Sequence, residues 1–277
     1  RNLGLEYNLA SSNNLWTGKA VVLKSFTPDV SGKDFTHAAN LQYFNRRLTV
    51  SWQHEYVGEN YNAEVGYIPR KNFIRIYPTA GYLFFPKGNR VLSHGPKLSS
   101  SYYFDPSFNQ TDNLSILSYA VTFRKQSVLT GWVNHEYVKL LQPFDPTNSG
   151  LDSLEAGSEH RWNAFGIDFI SKPQSLFTYL FSTRVGGYYA NGTRTNFSGE
   201  LGYRFQPYLS FAVAMSYNDI DLPQPWGRNT FWLVGPRLDV TMTNTLFFTA
   251  FVQYNEQQDN INLNTRFQWR YKPASDL

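Results

Sequence analysis

Histidines and carboxylates are the side chains here with the most capacity for chemistry. The five histidines include no HxH or HxxxH pair, and they lie at His37, His54, His94, His135 and His160. Two of them begin a repeated tripeptide, His54-Glu55-Tyr56 and His135-Glu136-Tyr137, which suggests a shared metal ligand set. On a strand, however, each His and the Glu that follows it point to opposite faces. The sequence therefore predicts no metal site.

Catalytic motifs are also missing from the sequence. No nucleophile-elbow motif supports a Ser/His/Asp triad, and no glycine-rich loop would hold a phosphate group. Asp145, Asp152 and Glu155 share one long polar segment, but their spacing does not match a calcium-binding EF-hand loop, so a solvated loop is expected. Gly186-Gly187 lies inside a predicted strand and indicates a bulge or close packing. We therefore predict no catalytic residue, no cofactor and no enzymatic activity.

Residues 261–271 give the clearest structural signal in the sequence, because apolar and polar side chains alternate along them. Ile261, Leu263, Phe267, Trp269 and Tyr271 fall on one face, and the residues between them are polar or charged, except for Thr265 on the apolar side. An alternating run of this length is long for a soluble sheet and matches the roughly 9–11 residues of a tilted transmembrane strand. The segment predicts a membrane-spanning β-strand.

The same alternation recurs along the chain, for example at 48–56, 197–205, 209–217 and 246–254. Short breaks alternate with longer polar connections, including 58–71 and 141–157. This asymmetry is typical of an outer-membrane barrel. We predict an all-β transmembrane antiparallel up-and-down barrel with about 15 strands, forming a single domain over 1–277. Since bacterial barrels usually have even strand numbers, we expect about 16 in the complete protein. Upstream residues and at least one closing C-terminal strand would then lie outside the sequence.

Composition supports the membrane prediction and argues against a nucleic-acid partner. Aromatic residues make up 17% of the chain, the net charge is only +4, and there is no cysteine. The seven tryptophans mostly lie toward predicted strand ends, as in the aromatic girdles of membrane barrels. Residues 58–85 fit the strand pattern least, because prolines interrupt them. They are expected to form either a loop that folds over or into the lumen or a plain surface loop.

Charged residues at the polar positions of the alternating strands are predicted to face the lumen. They are Arg47, Glu55, Glu200, Arg204, Arg266 and Arg270. These side chains would either line a channel or pair across the interior and rigidify the wall.

Two segments resemble a known family: Val-Gly-Tyr-Ile-Pro-Arg at 65–70 and Asn-Thr-Arg-Phe-Gln-Trp-Arg-Tyr-Lys-Pro-Ala-Ser-Asp-Leu at 264–277. Both are similar to the C-terminal outer-membrane barrel, a domain of unknown function, of Bacteroidota proteins that carry an N-terminal family-9-like carbohydrate-binding domain. In that family the Ser-Asp-Leu end continues into one more strand. The resemblance implies no catalytic residues. It also brings no glycan role to this chain, which lacks the carbohydrate-binding domain.

The expected function is that of a multi-pass protein of the bacterial outer membrane. It would act as an anchor or scaffold, including as a subunit of a cell-surface uptake, secretion or assembly complex. The alternative is a porin or transporter for small polar solutes. The expected partners are outer-membrane lipid, lipopolysaccharide and other outer-membrane or surface proteins.

Overall fold

The chain forms one antiparallel sheet in which every strand pairs with its sequence neighbours. The computed structural model describes residues 1–64, 66–150 and 152–272. Its strands are β1 (Asn2–Ala10), β2 (Trp16–Ser25), β3 (Phe35–Phe44), β4 (Leu48–Val57), β5 (Phe73–Tyr82), β6 (Val91–Phe104), β7 (Gln110–Phe123), β8 (Val128–Lys139), β9 (Glu159–Ile170), β10 (Phe177–Gly187), β11 (Thr193–Phe205), β12 (Leu209–Asp221), β13 (Arg228–Thr241), β14 (Leu246–Asn255) and β15 (Asn260–Trp269). The predicted all-β, up-and-down antiparallel fold with about 15 strands is confirmed.

Strand connections alternate between two ends of the sheet. At the long-loop end lie 26–34, 58–72, 105–109, 140–158, 188–192, 222–227 and 256–259. At the short-turn end lie 11–15, 45–47, 83–90, 124–127, 171–176, 206–208 and 242–245. Strands β11 and β12 extend further toward the long-loop end than the predicted segments 197–205 and 209–217, because polar residues such as Thr193 and Asp221 pair in the ladder. The predicted closing strand and residues 273–277 lie outside the described residues.

The hypothesis that 58–85 is a loop is wrong for its second half, which is β5. Pro78 pairs with Trp52 on β4, whereas the pairing toward β6 stops after Ile76 and resumes at Thr79. Pro236 lies in a similar interruption between β13 and β14. Because proline has no N–H to donate, a strand tolerates it where the ladder on one side is already open.

The strand registers define two faces of the sheet, because directly paired residues point to the same side. The apolar face carries Leu5, Val22, Leu41, Trp52, Leu98, Leu117, Val133, Phe165, Phe181, Leu201, Phe211, Trp232, Phe248 and Leu263. The polar face carries Glu6, Lys19, Asn40, Gln53, Arg75, Ser99, Glu136, Asp168, Ser182, Ser198, Ser216, Asp239, Thr249 and Asn262. Each face continues from β1 to β15.

The apolar face has no protein core against it. Leu5 is 79% exposed, Leu263 67% and Val133 52%. Among the described residues no second layer of strands or helices packs on the sheet. The accessible surface is 17800 Å², whereas a compact monomer of 32.0 kDa would expose roughly 12,000 Å². The excess reflects the single layer of the sheet, whose apolar face is uncovered among the described residues.

Some of the buried apolar side chains form two small clusters at the long-loop end. One contains Val57, Tyr61 and Phe73, and the other contains Ile220, Leu222 and Phe231. The strand members of both clusters lie on the polar face. Local packing is therefore concentrated where the long connections meet the strand ends.

Tryptophan placement follows the prediction only in part. Trp16 and Trp269 lie at strand ends, but Trp52 and Trp132 lie near the middle of β4 and β8. Trp132 is on the polar face, where a Cβ added to Gly166 of β9 would meet its ring at 2.4 Å. Its ring covers a glycine of the neighbouring strand, which sequence position alone does not reveal.

Candidate functional site on the polar face

The structure places the predicted lumenal residues on or beside the polar face. Glu55, Glu200, Arg204 and Arg266 are strand residues of that face. Arg47 lies in the turn before β4, and Arg270 follows β15 with its guanidinium 4.9 Å from the Phe247 ring centre. That this face lines a lumen stays a prediction.

Two of these residues have clear structural partners. The Arg204 guanidinium donates hydrogen bonds to the carbonyl oxygens of Pro173 and Ser175, in the turn between β9 and β10. Glu55 is the register partner of Arg75. Arg204 therefore braces a turn, and Glu55 lies beside a positive charge. Glu200 lines a polar-face cleft together with Ser198, Ser216 and Gln253.

Sequence reasoning missed a cluster that we call the Tyr103 arginine pair, Arg70 and Arg75. Their guanidinium carbons lie 4.8 and 5.3 Å from the Tyr103 ring centre. Arg70 also donates to Asp112 Oδ2 at 2.7 Å and to Thr111 Oγ1 at 2.9 Å, and Arg75 donates to Ser101 Oγ at 3.1 Å. The alternation of side chains along the strands is enough to place Arg75 and Tyr103 on the same face. No sequence pattern indicates that Arg70, in the connection 58–72, packs against Tyr103.

A second such cluster, the Tyr188 arginine pair, consists of Arg184 and Arg194. Each guanidinium carbon lies 5.5 Å from the Tyr188 ring centre. Arg184 donates to the carbonyl oxygens of Arg194 and Gly187 at 3.0 and 2.9 Å. Arg194 Nη2 donates to Asn218 Oδ1 at 3.3 Å. The two arginines lie on the polar face, Arg184 on β10 and Arg194 on β11, on either side of the short connection 188–192.

Close packing of β9 on β10 supports this cluster. Gly186 has φ +147, and a Cβ there would lie 2.6 Å from the Asn163 carbonyl oxygen. The predicted close packing at Gly186-Gly187 is confirmed. The Trp162 ring centre lies 5.8 Å from that of Tyr188 and 4.7 Å from that of Tyr189. Burial raises the pKa of Tyr189 to about 12, with smaller contributions from Tyr188, Glu136 and Asp112.

Loop 140–158 folds across the long-loop end of the polar face. Its Thr147 is fully buried, and the Thr147 carbonyl oxygen accepts hydrogen bonds from Asn229 Nδ2 at 2.7 Å and Gln257 Nε2 at 2.8 Å. Asn229 belongs to β13, four strand spacings from β9, which is roughly 19 Å along a sheet. The loop therefore covers part of the polar face and connects remote strands.

Asp145 fixes the shape of this loop. Its carboxylate accepts hydrogen bonds from the Thr147 hydroxyl and from the backbone amides of Thr147, Asn148, Ser149 and Gly150 at 2.7–3.0 Å. Partial burial raises the pKa of Asp145, but these hydrogen bonds outweigh burial and hold that pKa below its usual value. The carboxylate organises its own turn.

The connection 58–72 covers the same end from the other side. Tyr61 is buried, and the Asn62 amide donates to Ser25 Oγ at 3.1 Å. At the far end of the connection Arg70 reaches Asp112 of β7. Of the two expectations for this stretch, the structure supports a loop that folds over the polar face. Two connections thus narrow access to that face.

The histidines lie mainly on the apolar face. His37 Nδ1 and His54 Nε2 are 3.3 Å apart there, a contact that sequence spacing did not suggest. His54 and Glu55 point to opposite faces, as do His135 and Glu136. His160 is on the polar face and accepts a hydrogen bond from the Ala190 amide at 3.1 Å. In the described part of the chain, no three metal-ligating side chains converge.

Comparisons with known proteins give no family for the chain. A scan against protein-family models finds no match, and a search of curated proteins finds no significant match. Within residues 1–64, 66–150 and 152–272, no helix is long and apolar enough to span a membrane.

Proposed function

We propose that this chain is the wall of a bacterial outer-membrane β-barrel, of the kind suggested by its Bacteroidota resemblance. One observation supports this most: an apolar face runs across the 15 strands, and no other part of the described chain packs as a layer against it. Strands of 9–14 residues are long enough to cross a bilayer at the usual tilt. Lipid would cover the apolar face, and the polar face would enclose the interior.

Within that barrel, the proposed role is a non-enzymatic anchor or scaffold, including as a subunit of a surface uptake, secretion or assembly complex. Support comes from the two connections held over the long-loop end, because Thr147 and Arg70 fix them to strands of the polar face. A covered interior suits a structural role better than rapid solute flow. The long-loop end would face outward, toward lipopolysaccharide and surface partners.

The second candidate is a channel for small polar solutes. It is favoured by the charged and hydroxyl side chains of the polar face, such as those around Arg75, Ser101 and Glu136, which line a cleft of about 390 Å³. Solutes would then have to pass the two covering connections.

Three measurements separate these functions. Flotation with liposomes and heat-modifiable migration on gels test membrane insertion, and a monodisperse detergent-free monomer would refute the barrel. Single-channel recording in a planar bilayer tests conduction. Steady conductance would support the channel and count against the scaffold. Co-purification from native outer membranes tests the scaffold, which predicts a stoichiometric partner that survives mild detergent.

A further inference from the structure

The two arginine pairs of the polar face differ in their counter-charges. In the Tyr103 arginine pair, Arg70 has Asp112 at 2.7 Å and Arg75 has Glu55 as its register partner. For the Tyr188 arginine pair, no carboxylate of the described residues lies within 4.0 Å of either guanidinium. Because both share one tyrosine ring at 5.5 Å, the two charges are at most 11 Å apart. Positive charge therefore accumulates here.

Two hydrogen-bond donors, one in the Tyr188 arginine pair and one beside it, also lack acceptors among the described residues. Arg194 Nε and Trp162 Nε1 are both buried, and neither has a hydrogen-bond partner among the described residues. Buried polar groups in native proteins nearly always have a partner, and an added acceptor such as water or an anion would satisfy these two donors. The remaining contacts of Arg184 and Arg194 are to carbonyl oxygens and to the Asn218 amide oxygen, which carry no full negative charge.

The pair keeps part of its surface accessible on the polar face, and one carboxylate lies near it. Both arginines are half-buried on the polar face at the long-loop end. Glu136 on β8 is the acidic side chain that faces Arg184, and its carboxylate accepts a hydrogen bond from Asn134 Nδ2 at 2.5 Å. An incoming anion would compete for Arg184 with the Glu136 carboxylate, which already accepts a hydrogen bond from Asn134.

We infer that the Tyr188 arginine pair binds an oxyanion, namely the phosphate, sulfate or carboxylate group of a small solute. Guanidinium groups match the geometry of such oxygens and bind them through paired N–H donors. The inference goes beyond the anchor or channel role. It rests on the proposed barrel only because the polar face must be open to water.

The test uses the full chain purified in detergent. Isothermal titration with sodium phosphate, sulfate and acetate, at an ionic strength held constant with chloride, should give binding for at least one oxyanion. R184Q and R194Q should each weaken that binding at least tenfold, and R184K or R194K should weaken it less. E136Q should strengthen it. R237Q is the matched control, because Arg237 is a polar-face arginine already paired with Asp239 at 2.9 Å, and it should bind like wild type.

A second readout does not depend on the folding of the arginine variants. Whichever of the three oxyanions binds should change the fluorescence that wild type has and W162F lacks, because Trp162 packs on Tyr188. Unchanged Trp162 fluorescence, binding no tighter than chloride, or equal losses in R237Q and R184Q would each overturn the inference. Membrane insertion is measured separately by liposome flotation, so failure of the barrel and failure of the anion site give different results.

Discussion

At the scale of single residues, the two sides of one strand have opposite environments. On β11, Leu201 lies on the apolar face between Tyr179 and Val213 and is 47% exposed. Three residues earlier, Ser198 lies on the polar face between Ser182 and Ser216. If lipid covers one face and water the other, the same substitution must have different effects at these two positions.

Arginine at Leu201 should therefore destabilise the protein far more than arginine at Ser198. L201R is expected to cost about 2–4 kcal/mol, the typical penalty of a lipid-facing cation near the bilayer midplane, and S198R well under half of that. Equilibrium unfolding in urea, with the protein in liposomes, measures both variants. Equal losses would show that the faces are assigned wrongly.

Asp145 gives a pH prediction for its loop. Since the pKa of Asp145 in the folded protein lies below that of an unfolded chain, its ionised form stabilises the loop above the unfolded value near 3.9. That stabilisation should disappear as pH falls through the lower, folded pKa. Limited proteolysis between pH 6 and pH 2 with an acid-active protease should show loop 140–158 becoming more sensitive at the acid end. D145N should already be sensitive at pH 6, whereas D152N should behave like wild type.

At the scale of elements, sequence predicted the strands better than their connections. Strand β12 could be predicted because Leu209, Phe211 and Val213 alternate with small residues. In the structure these three residues lie on one face of the strand, with the same period of two. Strand β5 was harder to predict, because Pro78 argues against a central strand and only the local gap in pairing toward β6 accommodates it. The contact of Thr147 with β13 had no sequence signal, since loop 140–158 must reach across several strands to make it.

The anchor of this loop can be tested directly. Asn229→Ala with Gln257→Ala removes both donors to the Thr147 carbonyl oxygen, each worth about 0.5–1.5 kcal/mol. Amide hydrogen exchange near Thr147 should then accelerate about ten- to a hundredfold. Gln253→Ala on β14 is the control, because Gln253 forms no hydrogen bond to the described residues of the loop. Unchanged exchange in the double variant would mean that other contacts hold the loop in place.

At the scale of the whole molecule, the main feature is the large exposed apolar face of the sheet. Its 17800 Å² of accessible surface includes a continuous apolar face, so water is an unfavourable solvent for the isolated sheet. In a membrane that face would contact acyl chains, and no inner protein core would be needed. The two small buried clusters would then serve the loops at one end.

Tryptophan fluorescence should distinguish the two faces in a bilayer. Variants that keep only one of the seven tryptophans, Trp232 on the apolar face or Trp132 on the polar face, are inserted into liposomes with brominated acyl chains. Bromine quenches at short range, so Trp232 should be strongly quenched and Trp132 only weakly. Similar quenching of both residues would contradict a barrel with lipid on one side.

The residue pattern alone was enough to predict the all-β class, the approximate strand number and the face to which strand residues such as Glu55 and Leu263 belong. These properties depend on a local period of two, which neighbouring residues carry. The convergence of Arg184 and Arg194 on Tyr188, and the contact of Thr147 with Asn229, could be seen only in the folded chain. Such contacts join residues that are remote in sequence, and they depend on register and loop paths that no local pattern encodes.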